Sequence, residues 1–204
     1  AGHETTAHTL TWAWYLMALN QDKVEKARAE IDRVVGRRPI RVGDLRELPY
    51  IEMCLKESLR RLPAVWIYGR EAQCDLRLGD YFFPKGAIMA VSPLAIGRNA
   101  KYYDEPLEFR PERWTREFER QLPRGAYVPF AGGPRVCLGK QFALMEMKIV
   151  LGTLIQNVDI NILDGFEPDF LPEISLNPGE RGMQMRVTFR DNAPVRTGHP
   201  AQAA

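Results

Sequence analysis

The chain has 204 residues, 45% of them apolar and 26% charged, enough to bury one sizeable core or two small ones. Its 28 Lys and Arg stand against 26 Asp and Glu, a formal charge of +2, which argues against a basic nucleic-acid arm or a polybasic membrane anchor. Cys54, Cys74 and Cys137 are too few and too far apart for a disulfide framework, which favours a reducing compartment and a cytoplasmic location over secretion.

Residues 1–19, with Leu10, Trp12, Trp14, Leu16 and Leu19 and no Pro, read as a buried helix. Its apolar stretch from Leu10 to Leu19 is too short to span a bilayer, and the opening residues do not read as a signal peptide. Since the first residue is Ala1 and the helical pattern starts at once, the chain is expected to begin inside an element, with residues upstream. Asn20 to Val35 reads as an amphipathic helix, with Asp22 as its cap, Val24, Ala27, Ile31 and Val34 at helical spacing, and Gly36 as terminator. Pro49 opens a third helix that Pro63 ends, with Ile51, Cys54, Leu55, Ser58, Leu59 and Leu62 on one face. Strand-like runs follow at Val65–Tyr68, Cys74–Leu78 and Ala87–Val91, separated by Gly69, Gly79-Asp80 and Pro84-Lys85-Gly86. Asn99 to Pro129 shows no sustained period, and a loop of that length is usually functional. Gln141 to Gln156 is apolar almost all round and reads as a core helix. Strands are expected at Val158–Leu163, Ile174–Leu176 and Met183–Phe189, the last two around the turn Asn177-Pro178-Gly179-Glu180. Residues 191–204 read as a disordered tail. The fold class is therefore mainly α with small antiparallel β-sheets.

The segment from Pro129 to Lys140 carries the chemistry. A phosphate cradle does not fit: five residues lie between Gly133 and Gly139, and Gln141 stands where Ser or Thr would hold magnesium. A buried apolar Cys137 would leave the glycines and Arg135 without a role. A thiolate metal ligand fits better, because Cys137 precedes the first turn of a helix, where unpaired N–H groups and the macrodipole favour a deprotonated sulfur. Glycines at 132, 133 and 139 admit a flat, bulky cofactor, Arg135 offers a charge for a cofactor carboxylate, and Phe130 offers a shield from water. One Cys with no second Cys or His nearby argues against zinc and iron–sulfur sites and suits haem. His3 and His8 are separated by five residues, which turns their rings about 140° apart and excludes an HExxH zinc site.

The pattern Phe130-x-x-Gly133-x-Arg135-x-Cys137-x-Gly139 resembles the haem-binding signature of the cytochrome P450 family. Three further stretches resemble that family's motifs in chain order: Ala1-Gly2-x-Glu4-Thr5-Thr6, Glu57-x-x-Arg60 and Pro111-Glu112-Arg113-Trp114. The resemblance implies a cytochrome P450-like fold entered within its long distal helix, residues 1–204 forming the C-terminal haem-binding part of one domain. It implies haem b, iron protoporphyrin IX, with Cys137 as metal ligand and the N–H groups of Leu138 and Gly139 tuning it. Phe130, Gly133, Gly139, Arg135 and Arg70 are implied cofactor contacts, both arginines toward the propionates, with Ala1 and Gly2 making room for dioxygen. Thr5 and Glu4 are implied to supply protons on the oxygen side; the competing expectation is that Thr5 and Thr6 only bond back to preceding carbonyls.

The helical period puts Glu57 and Arg60 opposite the apolar face, as a solvated pair worth roughly 0.2–0.5 kcal/mol. The resemblance implies instead a buried network with Arg113, and that is the expectation taken forward. It also implies that Ala64, Val65, Trp66, Ile67 and Met183 line an apolar substrate pocket, strand packing being the alternative for Trp66. Lys140, Arg124 and Arg120 are candidates for docking an acidic electron-transfer protein. Gly97 stands where many members of that family carry His. The function so implied is monooxygenation of a small hydrophobic substrate, with electrons from NAD(P)H through a ferredoxin, flavodoxin-type or fused reductase. Its alternatives are a haem–thiolate isomerase, dehydratase or peroxygenase, and a non-catalytic haem-binding fragment. No nucleic-acid partner and no membrane segment are expected within these residues.

Overall fold

The computed structural model describes residues 2–190. Ala1 and the tail at 191–204 lie outside the described residues. Six α-helices and eight short strands occur among those described, the strands joined into four separate two-stranded antiparallel sheets.

α1, Glu4–Ala18, runs through the middle of the core with Trp12, Ala13, Trp14, Leu16 and Met17 buried. It shows no single apolar stripe because neighbours surround it: α2 (Gln21–Val34), α3 (Pro49–Arg61), α6 (Lys140–Asn157) and β5 (Val158–Ile162) all touch it. α2 is amphipathic as expected, burying Val24, Ala27 and Ile31, and ends before Gly36, whose φ of 64° is the left-handed terminator. Asp22 does not cap it. Asn20 holds the cap position, and its amide donates back to the Leu16 carbonyl at 2.7 Å, closing α1 rather than opening α2. α3 starts at Pro49, and its first-turn N–H groups at Tyr50 and Ile51, which have no partner within the helix, donate to the Glu30 carboxylate of α2 at 2.9 and 3.2 Å. Burial raises the Glu30 pKa despite those bonds.

The 64–91 region is β-rich with shifted boundaries: β1 (Tyr68–Glu71) pairs with β4 (Ile88–Val91), and β2 (Leu76–Leu78) with β3 (Tyr81–Phe83). Val65–Ile67 is not strand. Its backbone is committed elsewhere, the Ala64 carbonyl accepting from Leu176 N–H at 2.8 Å and the Trp66 carbonyl from Ser92 Oγ at 2.8 Å. Ser92 also caps α4, Pro93–Gly97. The aperiodic stretch from Asn99 holds a 3-10 turn at Pro111–Arg113 and the helix α5, Arg116–Gln121, too short and too exposed to show a period. α6 is a core helix only in its second half: Met147, Leu151 and Ile155 are buried, whereas Phe142 is 65% exposed. β5 pairs with β8, Met185–Phe189, and β6 (Leu171–Pro172) with β7 (Leu176–Asn177). The expected strand at Ile174 is absent, its side chain standing 95% exposed.

Candidate functional site

α3 delivers Glu57 and Arg60 one turn apart, and both side chains are completely buried. The Asn99–Pro129 stretch covers the second face of the helix, which is why one apolar stripe misplaces this pair. Arg60 grips Glu57 with two bonds, Nε to Oε2 at 2.9 Å and Nη2 to Oε1 at 2.7 Å. Arg113 Nε adds a bond to Oε1 at 3.0 Å, joined by the Arg110 N–H at 2.9 Å, and Trp114 Nε1 donates to Oε2 at 2.9 Å. The remaining Arg60 donors meet the carbonyls of Gly97, Pro106 and Glu108, while its guanidinium lies 4.9 Å from the centre of the Tyr103 ring. Every lone pair and proton of the pair thus has a partner, the condition for a buried ion pair to persist. Gly97 belongs here by close approach: a Cβ at that position would meet the Arg60 carbonyl oxygen at 2.2 Å. Trp114, Tyr103 and the Arg110 backbone were not legible as network members. The aromatic run Tyr103, Trp114, Phe118 and Tyr127, whose rings contact one another, was the available signal.

Beyond this brace the chain turns into the cysteine loop. Cys137 N–H donates to the Phe130 carbonyl at 3.0 Å and Val136 N–H to Gly133 O at 3.1 Å, so the loop folds back on itself around a 3-10 turn at Gly133–Arg135. Gly133 has φ 70°, which favours glycine, and added Cβ atoms at Gly132 and Gly133 would meet nothing within 4 Å. Gly139 is the cap residue of α6 and lies beside Cys137, its added Cβ reaching Sγ at 3.9 Å. Cys137 is exposed among apolar neighbours that are also exposed, Val136, Leu138 and Phe142, and Phe130 packs on the core beneath. No group of three His, Cys, Asp or Glu suited to a metal occurs among the described residues. A lone soft sulfur at an open glycine turn, rimmed by apolar side chains, fits a metal whose other ligands come with a flat cofactor, and so fits haem. Arg135 is exposed; Arg70 lies on β1, donating to its neighbour Gly69 O at 2.7 Å and leaning on the Tyr68 ring at 5.0 Å.

At the other end, α1 opens with His3 at the cap position, Glu4 and Gly2 exposed and Thr5 half-buried. Thr6 Oγ1 donates to the Gly2 carbonyl at 3.2 Å and Thr9 Oγ1 to that of Thr5 at 2.8 Å, the back-bonding expected of helical threonines. Glu4 is engaged differently, accepting from Ser175 Oγ at 3.0 Å. Of the pocket candidates, Ala64 is buried and Val65, Trp66, Ile67 and Met183 are half-buried, with Trp66 Nε1 donating to the Glu173 carbonyl at 2.8 Å. The 173–176 segment therefore ties the Ala64–Trp66 turn to α1. On the opposite side, a cavity of about 470 Å³ lies between α3 and α6 under the cysteine loop, lined in part by Lys56, Tyr127, Phe130, Lys140 and Leu144. Arg120 and Arg124 are exposed nearby in sequence.

Comparison with known proteins gives one consistent answer. The family model described as Cytochrome P450 matches residues 1–184. Cytochrome P450 4V2 of Mus musculus is 39% identical over 157 residues, covering 76% of this chain and 30% of that protein. Cytochrome P450 4g15 of Drosophila melanogaster is 38% identical over 194 residues, covering 93% and 34%. Putative cytochrome P450 132 of Mycobacterium tuberculosis is 35% identical over 178 residues, covering 87% and 38%. A solved structure, that of a cytochrome P450 (CYP102L1), superposes with a TM-score of 0.83 at 29% identity, covering 92% of this chain and 42% of that one. The chain thus spans 30–38% of the length of these curated relatives.

Proposed function

The chain belongs to the cytochrome P450 family, and from that premise we propose that it forms the thiolate-bearing part of a haem-dependent monooxygenase acting on a small apolar substrate. The observation that carries this reading is Cys137: one exposed thiol at the open end of a helix, on a glycine turn, without companion ligands among the described residues. Haem held through this cysteine would supply an iron centre able to activate dioxygen, made electron-rich by its sulfur ligand.

The chain's own residues do the rest. Cys137 would hold the iron through its sulfur; its backbone N–H is already committed to Phe130, which leaves the Leu138 and Gly139 N–H groups at the α6 terminus as the donors available to that sulfur. Phe130 would shield one side of that sulfur, and Gly133 and Gly139 would let a macrocycle approach the backbone. Arg135 and Arg70 carry the charges for its two carboxylates. On the oxygen side Gly2 leaves room, Thr5 donates a hydrogen bond and Glu4 passes protons to it. Ala64, Val65, Trp66, Ile67 and Met183 present apolar surface to substrate. Electrons from NAD(P)H arrive through a ferredoxin, flavodoxin-type or fused reductase docked near Lys140, Arg120 and Arg124. Among the described residues no helix is long and apolar enough to cross a membrane; a cytoplasmic location is part of the proposal.

The test uses full-length protein. Reduced under carbon monoxide, the parent should show the red-shifted Soret band of a thiolate-ligated haem, and Cys137→Ser should lose it; an unchanged band in the variant overturns the ligand assignment. With NADPH, a reductase and ethoxycoumarin as an apolar probe, oxygen uptake linked to dealkylated product supports monooxygenation. Uptake with no oxygenated product from a panel of apolar probes counts against it.

A further inference from the structure

We infer that His8 and Ser175 form a proton feed to Glu4, holding its carboxylate in place and offering it protons along a fixed hydrogen-bonded line. The inference rests on the reading of Glu4 as the group that passes protons on the oxygen side. Glu4, His8 and Trp12 are spaced four residues apart on α1 and share one face. All three meet one short segment. Ser175 Oγ donates to Glu4 Oε1 at 3.0 Å, His8 Nδ1 lies 3.0 Å from the same Oγ, and Trp12 Nε1 donates to the Leu176 carbonyl at 2.8 Å. Phe170, at the start of that segment, stacks on Trp12 at 5.0 Å, and Leu176 N–H donates to Ala64 O at 2.8 Å, so the serine sits on a fixed backbone. Ser175 is only 4% exposed and His8 is half-buried, so the line gives Glu4, which is itself exposed, a second and spatially fixed route for protons.

Counting protons fixes the direction of the line. A serine hydroxyl has one proton, and here Glu4 receives it. His8 Nδ1 must then be the donor to Oγ, which places the neutral ring's proton on Nδ1 and leaves Nε2 as acceptor. A hydronium ion in the adjoining solvent gives its proton to Nε2, leaving water and the imidazolium. The Nδ1–H bond then breaks as its proton passes to Ser175 Oγ, while the former Oγ–H proton passes to Glu4 Oε1. The products are a neutral imidazole protonated on Nε2, an intact serine hydroxyl and a Glu4 carboxylic acid. One proton has entered, one has been delivered, and no electrons have moved. Release of the Glu4 proton toward Thr5, rotation of the Ser175 hydroxyl back to Glu4 and tautomer exchange of His8 through water restore the start.

The test uses full-length protein labelled with nitrogen-15 histidine, in the diamagnetic reduced carbon-monoxide form. The His8 signal is the one lost in His8→Gln, and its nitrogen shifts report which ring nitrogen holds the proton. The Nδ1–H form is expected in the parent and in Ser175→Thr, and the Nε2–H form in Ser175→Ala. An Nε2–H ring in the parent, or no change in Ser175→Ala, overturns the line. NADPH-driven oxygen uptake, with a reductase and ethoxycoumarin, is expected to slow roughly tenfold in His8→Gln and Ser175→Ala and to recover in Ser175→Thr; a directly acting acid or base would cost about a hundredfold or more. Uptake equal to the parent's in both variants refutes the feed. Failure of the broader reading looks different: the parent itself lacks the thiolate band, and the tautomer remains readable in the same protein without haem.

Discussion

Gly97 and Thr5 show how much a single position can carry. Gly97 lets α4 lie against the last turn of α3, where a Cβ would sit 2.2 Å from the Arg60 carbonyl oxygen, backbone that cannot step aside. Gly97→Ala is therefore expected to destabilise by about 1–3 kcal/mol, read as a lower urea midpoint at unchanged slope, because the helix pair must separate. An unshifted midpoint would show that the approach is not tight. Thr5 lies in the first turn of α1, and its carbonyl, not its hydroxyl, serves Thr9. Thr5→Ala should keep the carbon-monoxide band of the parent and release more hydrogen peroxide per NADPH; equal peroxide yields would remove Thr5 from proton handling. The two residues differ in legibility. Thr5 announces itself by its neighbours in the chain, whereas the constraint on Gly97 comes from a backbone 37 residues away.

Elements are joined through a few shared side chains, and Glu112 is the clearest. From the 3-10 turn at Pro111–Arg113 its Oε1 accepts from Lys26 at 2.6 Å, Lys23 at 3.3 Å and the Tyr50 hydroxyl at 2.9 Å, linking α2, α3 and the long loop. Burial opposes its ionisation, but the bonds from Lys26, backbone and Tyr50 and the Lys23 charge outweigh it and hold the carboxyl at about 2 against an ordinary 4.5. A depressed carboxylate stabilises the fold above its unfolded value and loses that contribution as pH falls from about 5 to about 2. The side chain is 41% exposed, so the effect is modest and weakens with salt. The urea midpoint of Glu112→Gln should lie below the parent's near pH 7, converge on it in acid, and differ less at high salt. A gap that persists at low pH would mean the link is not ionic. Helix spacing made α2 and α3 readable, but Glu112 stood in an aperiodic stretch, and nothing local marked it as their common acceptor.

For the molecule as a whole the Glu57–Arg60–Arg113 cluster is the brace, since α3, α4's last carbonyl and the Pro106–Trp114 stretch all end on it. Arg60→Leu leaves Glu57 buried without its main partner and should cost roughly 3–5 kcal/mol, with haem content falling alongside. Removing both with Glu57→Leu added should cost less than the sum of the single changes, and strict additivity would argue that the two do not act as a pair. The sequence by itself determined the kind of protein: helical periods placed α2 and α3, an unbroken apolar run placed α6, and the spacing from Phe130 to Gly139 marked the thiol. These signals are local, written by neighbours within a turn or a loop. The helical period left Glu57 and Arg60 in solvent and only the resemblance implied that they are buried; tertiary structure supplies the physical cause, since the covering stretch, not the helix, excludes water from them. Tertiary structure alone decided that Ala64–Trp66 gives its backbone to Leu176 and Ser92 rather than to a strand, and that His8, Ser175 and Glu4 meet although 167 residues separate the first two. No periodicity or motif encodes such meetings, because a hydrogen bond between distant segments depends on where packing brings them, and packing is settled by the core as a whole.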